Sequence, residues 1–350
     1  METCAIESVS KILAHGTLLT ANQKLNVTGT SMIAGILRRK RLSIAVSLLI
    51  CAIACFTLYQ VLHDINTDAV VAALRHQSGR TILAAGGFVV AGYVTLTLYD
   101  FFALRTIERR EVPFQAAAFA SFTSYTIGHT LGAATLTGGA VRLRIYSAWG
   151  LTVADIAKIA FVTGLTFWLG TALVLGSALL LAPEAASVVD HLPLWAHQIA
   201  GLSALLCICG YLVWLAPRPR RVGYRNWSIT LPGVPFALLQ TAIGATDLSL
   251  VALAMYTLLP VSPVVDFPTL AVVFLIATLL GTISHAPGSL GVMEATMLIG
   301  LPQLRKEELL ATLLTFRVLY FVLPLLLAAL AFSLREVWLA MRLRSISSRS

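Results

Sequence analysis

The chain has 350 residues, 58% of them hydrophobic and only 12% charged, with a net charge of +9 and a mean hydropathy of +0.85. A soluble globular domain carries roughly 25% charged residues, so these values exclude a soluble fold over this length. They indicate an all-α polytopic membrane protein, because each apolar run is long enough to cross a bilayer as a helix of about 20 residues.

Residues 1–37 are mixed in character and lack a compact apolar core followed by a small-residue cleavage site, so they read as a cytoplasmic tail rather than a secretory signal. Apolar segments follow at 42–62, 81–104, 113–136, 154–182, 197–216, 229–259, 268–301 and 309–333. Arginine and lysine set their orientation, since basic loops stay on the cytoplasmic side. Arg38, Arg39, Lys40 and Arg41 precede the first segment, Arg105, Arg109 and Arg110 follow the second, and Arg218, Arg220, Arg221 and Arg225 crowd the 217–227 loop. Arg335, Arg342, Arg344 and Arg349 mark the C-terminal stretch, whereas loops 183–196 and 260–267 contain no lysine or arginine and face outward. The membrane domain then spans 38–335, with a basic cytoplasmic tail over 336–350 and both termini inside.

These sides impose a constraint. Loops 105–112 and 137–153, the latter carrying Arg142 and Arg144, both belong inside, so segment 113–136 enters and leaves on one face. Gly128, Gly132, Gly138 and Gly139 supply break points for such a hairpin. Segment 268–301 must likewise return to the outside, with its break at Pro287-Gly288. The expected architecture is six full crossings plus two re-entrant or broken segments inverted in sense, an arrangement that transporters use near the midplane.

Ionisable residues inside apolar runs cost a few kcal/mol each at a helix centre, so they mark pairs or functional sites. Asp155 and Lys158 read as a local pair at the cytoplasmic interface, and Asp100 reads equally as interfacial or functional. Asp247, Glu294 and Arg317 are deeper. A Glu294–Arg317 pair neutralises both charges, and a substrate role stands beside that reading. The stretch Thr137-Gly138-Gly139-Ala140-Val141-Arg142-Leu143-Arg144 combines glycine amides with two guanidinium groups, a composition suited to phosphate, although both arginines also fit as plain topogenic anchors. His129 and His285 lack a second ligand at metal spacing, and no P-loop or nucleophile elbow appears, so no metal, cofactor or catalytic residue is expected. The basic charge sits beside apolar runs, which points to the membrane and not to nucleic acid.

Residues 121–150 (SFTSYTIGHTLGAATLTGGAVRLRIYSAWG), 284–299 (SHAPGSLGVMEATMLI) and 314–326 (LTFRVLYFVLPLL) carry a resemblance. In this order and spacing the chain resembles, over residues 40–335, the transmembrane flippase domain of the lysylphosphatidylglycerol synthetase/flippase family, also called multiple peptide resistance factors. The resemblance implies translocation of a phospholipid, including aminoacylated phosphatidylglycerol, or a related amphiphile across a bacterial inner membrane. It argues against aminoacyl transfer, because the cytosolic transferase domain of full-length members has no counterpart here. It implies importance for Asp100, Gly138, Gly139, Arg142, Asp247 and the Pro287–Glu294 segment, which includes Gly288 and Gly291; Arg144 and Arg317 complete the candidate substrate-binding set. The alternative is a membrane subunit or scaffold that serves a separate lipid-modifying or glycosyl-transferring enzyme.

Overall fold

A computed structural model describes residues 67–131, 134–216, 220–224, 227–231 and 233–347. The tail over 1–37, the first expected crossing at 42–62, Gly132, Arg218 and Arg225 lie outside the described residues. Within them the protein is an all-α polytopic membrane protein, and six helices are long and apolar enough to cross a membrane.

In chain order, α1 (Thr67–His76) leads into α2 (Gly79–Thr106), whose first turn is capped by the Ser78 side chain. A helical hairpin follows, α3 (Phe114–Leu131) and α4 (Ala134–Tyr146). Next come the long α5 (Val153–Leu181), the short α6 (Pro183–Asp190) and α7 (Leu194–Leu215). A two-stranded antiparallel hairpin, β1 (Arg220–Tyr224) and β2 (Trp227–Leu231), precedes α8 (Val234–Leu258). Helix α9 (Phe267–Ser284) ends at a break, α10 (Val292–Gly300) returns, and α11 (Lys306–Arg317) continues through a wide helical turn at Val318–Val322 into α12 (Leu323–Ser347).

Both broken segments are present, and five of the expected crossings appear as α2, α5, α7, α8 and the α11–α12 helix. The strands were not anticipated: apolar segment 229–259 was read as helix from its start. Trp227–Leu231 instead alternates, with Ile229 and Leu231 buried and Ser228 and Thr230 exposed, the period-2 pattern of a half-buried strand. The last helix also runs on to Ser347, past the expected boundary at 335.

Lipid offers no hydrophobic drive for helix association, so close packing falls to small residues. Helices α5 and α8 cross backbone to backbone at Gly170 and Gly244, where a Cβ on either would overlap the other helix. Helices α5 and α7 meet at Gly176 and Gly201, where a Cβ on Gly201 would lie 2.6 Å from the Gly176 carbonyl. Large apolar side chains such as Leu83, Val213 and Leu326 stand outward, the surface a bilayer requires. Cys207 and Cys209 are free thiols on that outer surface of α7.

One feature of the last helix has a local cause. Pro324 lacks the amide hydrogen that would bond the Tyr320 carbonyl. The wide turn ends just before it, and the Tyr93 hydroxyl donates to the freed Tyr320 carbonyl at 2.9 Å.

Candidate functional site between two broken helices

The first hairpin is anchored at one end of the bundle. Arg109, in the turn after α2, reaches Asp155 at the start of α5 (Nη2 to Oδ2, 2.9 Å). Asp155 also closes a capping box with Thr152, accepting from its backbone N–H at 3.0 Å. The residues flanking the hairpin are therefore held side by side, so α3 and α4 leave and return at the same end. Asp155 takes Arg109 as its partner where a local pair with Lys158 was expected.

The two arms pack tightly because Gly138 has no side chain; a Cβ there would lie 2.9 Å from the Ser124 carbonyl. Both Gly138 and Gly139 sit inside α4, so the helix ladder uses their amides. That corrects two expectations: neither glycine is a break point, and neither presents an exposed amide to an anion. Helix α3 ends at Leu131 and α4 begins at Ala134.

Arg142 and Asp100 come together. The carboxylate of Asp100, on α2, is fully buried and receives Arg142 Nη2 at 2.8 Å and Nε at 2.9 and 3.2 Å. Tyr146, one turn after Arg142, donates its hydroxyl to Asp100 Oδ2 at 2.9 Å. The guanidinium lies 4.8 Å from the centroid of the Tyr125 ring on α3, a cation–π contact. This two-pronged grip uses the geometry of the arginine fork and fastens α4 to α2. Arg144 points to the exposed side of α4 and does not join the cluster.

The second break is built from an unusual backbone. His285, Gly288, Ser289 and Gly291 all have positive φ, at 55°, 57°, 54° and 79°. Two of the four are glycines, which adopt this region without steric cost. A Cβ on Gly281 of α9 would overlap the Ser289 side chain, so the break is pressed against the helix it leaves. Helix α10 starts with Gly291 N–H donating to Glu294 Oε2 at 2.8 Å. The other Glu294 oxygen takes Arg317 Nε, and Arg317 Nη1 donates to the Gly288 carbonyl at 2.9 Å. Arg317 thus ties the last long helix to the break, while its Nη2 is buried without a hydrogen-bond partner among the described residues.

The two breaks meet. A Cβ built on Gly288 would lie 4.0 Å from the Thr130 carbonyl, in the last turn of α3. The second hairpin opens toward the opposite end of the bundle from the first. Thr312 of α11 donates to the Leu258 carbonyl at the end of α8, and Gly300 at the end of α10 packs on Val273 and Val189.

Asp247 stands apart from both arginines. It is buried midway along α8 and accepts from the Tyr99 hydroxyl at 3.1 Å through Oδ2. Tyr99 and Tyr125 make an edge-to-face contact, centroids 5.8 Å apart, so aromatic rings join the Asp247 and Arg142 clusters. The sequence reading missed Tyr99, Tyr125, Tyr146 and Arg109. Tyr146 had a legible signal, being four residues from Arg142 and so on its face of a helix; the others are brought in from distant segments.

No protein-family model matches the chain. The chain is 31% identical over 290 residues to the uncharacterized protein slr0712 of Synechocystis sp., a match that covers 78% of this chain and 88% of the relative. It is 29% identical over 285 residues to the inner membrane protein YbhN of Escherichia coli, covering 78% of this chain and 85% of that protein.

Proposed function

The chain belongs to the family that includes slr0712 of Synechocystis, and from that premise we propose that it is a bacterial inner-membrane protein that moves a phospholipid or related amphiphile between leaflets. The observation that carries this reading is the meeting of two broken helices from opposite ends of the bundle, at Thr130 and Gly288, with Arg317 beside the second break and the Arg142–Asp100 pair along the first hairpin. Non-helical backbone at membrane depth persists only where protein buries it or a polar cavity adjoins it. Opposed broken helices are the transporter solution to that constraint. The resemblance to the flippase domain and the inner-membrane placement of the Escherichia coli relative both support the same reading.

In this account the head-group phosphate meets the Arg317 and Arg142 guanidinium groups while the acyl chains remain in the bilayer. Arg317 offers its unpartnered Nη2 beside Gly288. Arg142 is closed on Asp100 in the state described, and it becomes available when α4 separates from α2. A cationic head group, where the lipid has one, is drawn to Asp247 or Glu294. A barrier that a free head group could not cross is lowered because each charge keeps a partner along the way.

The test is a leaflet-resolved assay in proteoliposomes with a head-group-labelled phospholipid. Wild-type protein should exchange the probe between leaflets faster than protein-free vesicles do. Folded wild-type protein that retains bound lipid but gives the protein-free rate would replace transport with a scaffolding role.

A further inference from the structure

Among the described residues, three carboxylates of the apolar helices are each held by an arginine. Asp100 is gripped by Arg142, Asp155 by Arg109 and Glu294 by Arg317. Asp247 has none: no salt bridge among the described residues includes it, although it is 5% exposed and sits in the middle of the 25-residue α8. Either end of that helix is roughly 17–20 Å away at 1.5 Å per residue. An isolated carboxylate cannot remain ionised in such surroundings without large cost; it takes up a proton or a cation instead.

The local geometry favours the proton. Oδ2 accepts from Tyr99, while Oδ1 is buried with no hydrogen-bond partner among the described residues. Oδ1 faces α2 at Gly92, where a Cβ would lie 3.8 Å from it, beside Val251 and Leu250 of its own helix. A cation stripped of its water needs about six oxygen ligands. No group of three or more histidine, cysteine or acidic side chains exists among the described residues. Among the described residues, the titratable groups facing Asp247 are tyrosines: Tyr93 and Tyr99 from α2, Tyr125 from α3, and Tyr320 from the wide turn before α12. None of them supplies a positive charge.

We propose that Asp247 is a proton-binding site that links lipid movement to the transmembrane proton gradient. Oδ1 carries the proton in the closed state described, releases it to water when the bundle opens to one face, and takes up another when it opens to the opposite face. Each step is a proton transfer between carboxylate and water, with nothing else consumed. The linkage rests on the lipid-transport reading, whereas the proton site itself does not.

The experiment has two readouts on purified protein in phospholipid vesicles. Infrared difference spectroscopy between Asp247→Asn and wild type reports a protonated carboxyl directly. Leaflet-resolved movement of a head-group-labelled phospholipid is then compared with and without an imposed pH gradient. The expected result is a protonated-carboxyl band at neutral pH in wild type that is missing from Asp247→Asn, with gradient-stimulated movement that the variant loses. Gly92→Ser guards against misfolding of the first variant, because its hydroxyl can donate to Oδ1 and favour the ionised form; its band should disappear at lower pH than in wild type. Absence of the band in wild type, or a band whose pH dependence Gly92→Ser leaves unmoved, overturns the proton site. A band accompanied by lipid movement indifferent to the gradient overturns the linkage. No lipid movement by wild type under either condition refutes the transport reading and the linkage with it, while the band still decides whether Asp247 holds a proton.

Discussion

Arg142 and Asp100 are 42 residues apart in sequence and meet in a buried two-pronged contact that joins α4 to α2. Breaking a buried pair from one side strands the other charge, a loss of about 3–5 kcal/mol. Asp100→Ala should therefore lower the thermal midpoint of the detergent-solubilised protein sharply, and Asp100→Asn combined with Arg142→Gln should recover much of it. Arg142→Lys keeps the positive charge and the topology but loses the planar fork. Its insertion and abundance should persist while lipid movement falls. Wild-type lipid movement by that variant, at equal protein level, would return Arg142 to a purely topogenic role.

Glu294 performs two tasks that can be separated. Glu294→Gln retains an oxygen for the Gly291 N–H but removes the charge that holds Arg317. The protein should fold, because the helix start remains satisfied, and leaflet exchange should drop several-fold. Arg317→Lys should show the same pattern, since a single ammonium cannot reproduce the guanidinium geometry that bonds Glu294 and the Gly288 carbonyl together. Loss of folded protein in both variants would assign the pair to stability alone.

The crossing of α5 and α8 has no room for a side chain at Gly170 or Gly244. Gly244→Val should abolish the monodisperse peak in size-exclusion chromatography, because overlap with backbone cannot be relieved by a rotamer change. Gly86→Ala is the control, with nothing within 4 Å of the added carbon. It should elute and melt like wild type.

At the end of the bundle where the first hairpin opens, Arg109 is partly exposed, so its bond to Asp155 contributes no more than about 1 kcal/mol. Thr152→Ala removes a helix cap, about 1 kcal/mol. Asp155→Ala removes the ion pair and half of the capping box together and should be the most destabilising of the three in thermal melts. An Arg109→Ala effect larger than that of Asp155→Ala would contradict the assignment.

Much of this architecture is written in local sequence. Pro287-Gly288 announces the second break because proline and glycine act on the chain where they stand. The first hairpin followed from arginine placement at 105–112 and 137–153, although 137–146 is the hairpin's second arm, α4, and not a loop; the Arg109–Asp155 contact holds the flanking ends together. The Glu294–Arg317 pair was legible because both charges lie too deep to remain alone. Other features were not local. Gly138 reads as a break point, yet its role is to let α4 approach the Ser124 carbonyl, which depends on where α3 runs. Asp100 and Arg142 each had a reading of their own, and neither predicted the other, because only the folded bundle brings α2 and α4 together. The strand at Trp227–Leu231 was concealed by its fusion to an apolar run.

Lipid transport by this protein requires two hairpins that open toward opposite faces of the membrane, and accessibility labelling measures that directly. In a background with Cys4, Cys51, Cys55, Cys207 and Cys209 replaced, single cysteines are introduced at Trp149, beside the mouth of the first hairpin, and at Gln303, beside the mouth of the second. A membrane-impermeant maleimide applied to intact cells should label Gln303→Cys and spare Trp149→Cys until the inner membrane is opened. Labelling of both positions from the same face would contradict the opposed hairpins and, with them, the transport reading.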